Sequence, residues 1–124
     1  MSAENRREPR LDPLVIRVDF FDGGDPQTAY LTNLSESGCF LATEDLFPQG
    51  RMLTLHIHLP WGLGGLNTEA KVMWRTYEAG PRARRLPSGL GLAFVNLSPA
   101  GKGKIRLYMQ RFHQLVAQIE AQPN

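Results

Sequence analysis

The chain has 124 residues, 42% hydrophobic and 21% charged, the size and composition of one compact domain rather than a disordered or fibrous chain. A single cysteine excludes a disulfide framework and any multi-cysteine metal centre, and apolar runs of only a few residues exclude a membrane-spanning helix. The net charge of +2 conceals a division: residues 1–70 carry five basic and ten acidic groups, residues 71–124 nine basic and two acidic. A basic half attracts nucleic acid, nucleotides or acidic proteins, unless folding interleaves the two halves.

The first thirteen residues are polar and Arg-rich, and Pro9 and Pro13 discourage regular structure, so they read as a flexible arm on a domain spanning 14–121. MSAENRREPR lacks the apolar core of a signal peptide, and the expected location is cytoplasmic. From Leu14 the pattern alternates: Ile16, Val18 and Phe20 face one way, as in a half-buried strand. The turn Asp22-Gly23-Gly24-Asp25-Pro26 separates it from a second strand over about 28–32. Asn33 to Gly38 then leads into a third strand over about 39–43. Leu53, Leu55, Ile57 and Leu59 mark a fourth, with Thr54, His56 and His58 opposite.

Pro60 ends that strand, and Trp61 to Gly65 reads as an apolar, Gly-rich loop. A fifth strand covers about 67–76, with Ala70, Val72 and Trp74 expected on one face. Residues 78–88 lack periodicity and read as an exposed loop before a sixth strand over 89–95. Ser98-Pro99 marks a helix start, and Ile105, Tyr108, Phe112, Leu115, Val116 and Ile119 form one apolar stripe along a helix of about 99–121. Many glycines and prolines with six short strands and one helix predict a mainly β fold. A small closed barrel with the helix packed on it is the first choice, an open antiparallel sheet capped by the helix the second.

Two motifs carry chemistry. Arg6-Arg7-Glu8-Pro9-Arg10 contains R-x-x-x-R, and guanidinium forks bind phosphate oxygens or guanine O6 and N7 in pairs. Asn33-x-Ser35-x-x-Gly38 supplies two short hydrogen-bonding side chains and a glycine that permits close backbone approach. In this order, one before the first strand and one between the second and third, they resemble the PilZ domain, a family of bacterial receptors for the second messenger cyclic di-GMP. The likeness extends to Cys39-Phe40-Leu41, Trp74-Arg75, Gly89 to Phe94 and Leu97-Ser98-Pro99.

The resemblance implies a six-stranded antiparallel β-barrel with a C-terminal helix. It implies that Arg6 and Arg10 grip a guanine and the phosphates, with Arg7 adding a phosphate contact. Asn33 and Ser35 would bond the ligand's other side, and Gly38 would shape the turn. Trp74 stands where some relatives place an aromatic beside the purine, or else in the barrel wall, and Arg75 is a further candidate. Asn5 occupies a place where relatives often carry arginine, linked to how many ligands bind, which leaves one ligand or an intercalated pair open. The expected protein is a non-enzymatic receptor, monomer or homodimer, whose arm rearranges over the ligand and signals to a protein effector in motility, exopolysaccharide or related output. The alternative is a PilZ-type adaptor with weak or no cyclic di-GMP binding. A nucleic-acid-binding barrel ranks third and would show salt-dependent binding.

The remaining signals read as structural. Asn96-x-Ser98-x-x-Gly101 repeats the second motif, but its Ser-Pro opens a helix and reads as a cap. His56 and His58 share a strand face with no evident acidic or cysteine partner, so no metal is expected. Cys39 reads as a small buried hydrophobe. Gly101-Lys102-Gly103-Lys104 lacks the surroundings of a phosphate-binding loop.

Overall fold

The computed structural model describes residues 16–45, 47–76 and 88–121. In chain order they form β1 (Ile16–Phe21), β2 (Gln27–Thr32), β3 (Gly38–Ala42), β4 (Met52–Leu59), β5 (Gly64–Thr76), β6 (Gly89–Val95) and α1 (Pro99–Ala121). The strands close into an antiparallel barrel in the order β1-β2-β3-β6-β5-β4, with β4 returning to β1. The expected arm, residues 1–13, and nearly all of the loop expected over 78–88 lie outside the described residues.

Alternation decides which side chains fill the barrel. Ile16, Val18, Phe20, Leu31, Leu41, Leu53, Leu55, Ile57, Val72 and Leu90 are almost wholly buried, and their strand spacing of two puts them on one face. Ile105 and Tyr108 of α1 belong to the same core, so the helix covers one end. Ser98 starts that helix as expected: its Oγ accepts from the Gly101 amide at 3.0 Å and its carbonyl from the Lys102 amide at 2.9 Å. Phe112 packs partly against the core, whereas Ile119 is 43% exposed, so the apolar stripe outruns the barrel. At the opposite end Phe47 meets Phe20 edge-on at 6.1 Å, and Arg51 pairs with Asp22 at 2.6 Å.

Two sequence expectations change. β5 begins at Gly64, not Asn67, because the turn over 60–63 is tight enough for Leu59 to pair with Gly64. Trp61, Gly62 and Gly64 all take positive φ there. For Trp61 that conformation is uncommon, and its ring is held by stacking on Tyr108 at 5.3 Å. The second change concerns Trp74. Ala70 and Val72 point into the core, but Trp74 is 52% exposed. Pairing with β6 slips by one residue: Val72 lies opposite Leu92, and Trp74, not Met73, lies opposite Gly91. A one-residue slip sends the following side chains to the other face.

The acidic and basic halves of the sequence interleave, since β6 lies between β3 and β5. No described helix is long and apolar enough to cross a membrane.

Candidate functional site

The slip at Met73 builds the outer wall of the site. Phe40, Gly91 and Trp74 form one row across β3, β6 and β5. With no side chain on Gly91, the Trp74 indole lies over it and stacks on Phe40, centroids 5.7 Å apart and planes 29° apart. Phe40 is only 9% exposed although it lies outside the core cluster, because the indole covers it. The result is a half-exposed aromatic shelf on the outside of the barrel.

Beside the shelf is the turn from Asn33 to Gly38. Asn33 has φ 54°, a left-handed conformation that asparagine tolerates better than most side chains. Leu34 then dips into the core at 7% exposure and anchors the turn. The Ser35 amide donates to the Gly38 carbonyl at 2.9 Å, and Ser35 Oγ lies 3.0 Å from Ser37 Oγ and accepts from the Ser37 amide at 3.3 Å. The Phe94 amide donates to the Ser37 carbonyl at 2.9 Å, tying the turn to β6. Gly38 is required by close approach: a Cβ there would fall onto the Leu92 carbonyl, 3.2 Å from Ala93 Cα.

Asn33, Ser35, Ser37, Gly38, Phe40 and Trp74 line one open cavity of about 340 Å³ with neighbouring β3 and β6 residues. Four residues singled out from sequence therefore meet: Asn33, Ser35, Gly38 and Trp74. The cavity offers a planar hydrophobic surface at one side and hydroxyl, amide and backbone groups at the other, a combination suited to an aromatic ring bearing polar groups. Arg75, exposed and opposite Leu90, is not among the lining residues. Arg6, Arg7 and Arg10 lie outside the described residues. Sequence reasoning missed Ser37 and Phe40 as lining residues; glycines at 89 and 91, spaced to sit under outward aromatics, were the available signal.

A second cavity, about 320 Å³, lies behind the turn between Thr32, Asn33 and Leu34 and the α1 residues Tyr108, Met109, Phe112 and His113. Glu36 of the turn accepts two hydrogen bonds from Arg106 of α1, at 3.0 Å from Nε and 3.3 Å from Nη2.

The histidine pair proves to have an acidic neighbour that sequence did not reveal. Pairing of β1 with β4 brings Asp19 beside it: His58 Nε2 is 3.0 Å from Asp19 Oδ2, and His56 Nδ1 contacts Asn67 Oδ1. The hydrogen bond to His58, then that from Thr28, hold the Asp19 carboxyl below its ordinary range. Among the described residues no group of three or more His, Cys, Asp or Glu is placed to hold a metal ion. Cys39 is buried, and burial pushes its thiol up to about 12.

No curated protein matches the chain. Among solved structures, the fold is similar to the PilZ domain with c-di-GMP of YcgR from Escherichia coli, at 14% sequence identity and a TM-score of 0.59, over 86% of this chain and 89% of that one. The PilZ domain family model matches residues 4–111. Together with the closed six-stranded barrel and its single C-terminal helix, this match places the chain in the PilZ domain family.

Proposed function

We propose that this chain is a non-enzymatic cyclic di-GMP receptor that grips its ligand between the Arg6–Arg10 motif and the turn from Asn33 to Gly38. The observation that carries the reading is the convergence of Asn33, Ser35, Gly38 and Trp74 on one cavity of the barrel wall. The similar YcgR domain is described with this ligand. Chain geometry also favours it. β1 starts at Ile16, opposite Leu31, so the first described residue lies beside the strand end that leads into the turn. Arg10 precedes Ile16 by six residues, a contour of at most about 20 Å.

The division of labour follows from side-chain chemistry. Guanidinium groups of Arg6, Arg7 and Arg10 bind the guanine Hoogsteen edge and the phosphates. Ser35 Oγ, whose bond to the Gly38 carbonyl is a long 3.4 Å, rotates to donate to the ligand at small cost. Asn33 offers both a donor and an acceptor, Trp74 stacks on a purine, and Arg75, exposed and next in β5, stands at the edge of the set. Ligand bridging orders the arm over the barrel and changes the face presented to a protein effector.

Isothermal titration calorimetry with cyclic di-GMP, and GTP as control, tests this. Saturable binding at one or two ligands per chain, abolished by Arg10→Ala with the melting temperature unchanged, is the expected result. A flat titration of the folded parent, or an Arg10→Ala variant that binds as the parent does, overturns it. The flat titration would point to an adaptor that works by protein contact alone.

A further inference from the structure

We infer that Arg106 and Glu36 form a positioning pair through which α1 holds the ligand-binding turn, so that affinity at the cavity depends on a helix that does not line it. The inference rests on the receptor reading above.

Three features of the turn lead to it. First, the turn is anchored at its start by Leu34 and at its end by the bond from the Phe94 amide to the Ser37 carbonyl. Glu36 lies between these anchors, next to both serines of the cavity. Second, the back of the turn is only partly filled: a cavity of about 320 Å³ opens between Thr32, Asn33 and Leu34 on one side and Tyr108, Met109, Phe112 and His113 on the other. Packing in the core cluster shared with Ile105 and Tyr108 fixes Leu34, but contact at van der Waals distance is missing where the cavity opens beside Asn33. Third, among the described residues a two-pronged ion pair from Arg106 to Glu36 joins the turn to the helix.

The pair is a poor candidate for a stability role. The side chains are 60% and 39% exposed, and exposed ion pairs contribute little to folding. Its two-bond geometry does restrict orientation, and what it orients is the peptide between Ser35 and Ser37. The far side of Arg106 is helix backbone whose neighbours Ile105 and Tyr108 are buried in the core, so the anchor point is rigid. Asn33 lines both cavities, which makes this short turn the wall between the ligand site and the helix.

A charge effect alone makes the opposite prediction at one position. Glu36 is an anion beside a site proposed for an anionic ligand, so removing it would tighten binding if electrostatics ruled. Positioning requires that its removal weaken binding.

The experiment compares cyclic di-GMP affinity, melting temperature and amide hydrogen exchange of residues 35–38 for the full-length parent, Glu36→Gln, Arg106→Gln and the reversed pair Glu36→Arg with Arg106→Glu. Each single variant is expected to bind roughly two- to tenfold more weakly and to exchange faster at 35–38. The melting temperature should stay within about 2 °C, and the reversed pair should recover most of the affinity. Parent-like affinity in both single variants, tighter binding by Glu36→Gln, or a reversed pair no better than the singles overturns the inference while leaving the receptor reading intact. A parent that fails to bind overturns the receptor reading. In that case unchanged exchange at 35–38 in the free variants removes the positioning role as well.

Discussion

The aromatic shelf rests on the absence of one side chain, which makes Gly91→Ala a direct test of how the site is built. A methyl group there would overlap the edge of the Trp74 indole, meeting Cζ2 at 2.5 Å where ordinary contact begins near 3.4 Å. The obstruction is the end of a half-exposed side chain, so the indole swings outward and the backbone stays in place. The loss is the aromatic pair, about 1 kcal/mol, and the cover over Phe40. Re-exposing on the order of 40 Å² of that ring costs about 1 kcal/mol more. Reduced freedom of the unfolded chain returns about 0.7 kcal/mol. The net cost is therefore about 1–2 kcal/mol, a melting temperature roughly 4–8 °C lower.

Gly38→Ala provides the contrast. Its methyl group would fall onto the Leu92 carbonyl, with Leu92 C at 3.1 Å and Ala93 Cα at 3.2 Å, and backbone cannot swing aside. β3 must separate from β6, forfeiting several ladder hydrogen bonds at about 1 kcal/mol each, so the loss is about 3 kcal/mol or more. The assay is thermal unfolding followed by circular dichroism, with tryptophan emission read in a Trp61→Phe background where Trp74 is the remaining indole. The emission of Gly91→Ala should shift to that of a solvated indole. A Gly91→Ala variant with unchanged emission and stability, or a Gly38→Ala variant no worse than it, would refute the reasoning.

Other outcomes follow from the titrating groups. Because Asp19 is held below its ordinary 3.8 by hydrogen bonds from His58 and Thr28, its contribution is present above that value and is lost as pH falls through the lower folded one. Asp19→Asn should therefore melt below the parent at pH 6, with the gap narrowing towards zero near pH 2; a pH-independent gap would contradict this. With its thiol pushed up to about 12 by burial, Cys39 should resist iodoacetamide at pH 8 in the folded barrel and react fully in denaturant. Rapid alkylation of the native protein would show that β3 opens locally.

Where one physical rule decided the outcome, the sequence was readable. The alternation of Ile16, Val18 and Phe20, and of Leu53 to Leu59, survives intact because each strand keeps a single register. The Ser98 cap was legible for a similar reason: it involves only residues three and four apart. The face of Trp74, expected with Ala70 and Val72, depends on a slip between β5 and β6, and that slip is set by partners not adjacent in sequence. Asp19 beside His58 was hidden for the same reason, a contact across 39 residues. In the site, Asn33, Ser35 and Gly38 were visible as a local motif, whereas the shelf of Phe40 and Trp74 and the tether from Arg106 exist only once the strands and helix are assembled.

Closure of the barrel has a consequence for how any signal leaves it. β4 pairs with β1, so each described strand has a neighbour on both sides, and single-sided pairing is left to strand ends, above all those of the long β5, where residues 64–68 meet β4 alone and 74–76 meet β6 alone. Recognition by strand addition, common among open-sheet adaptors, finds no full-length edge on this barrel and is limited to such short strand ends. Most of the described surface that a binding partner can read is therefore side chains of the outer wall, the connecting turns and the projecting end of α1.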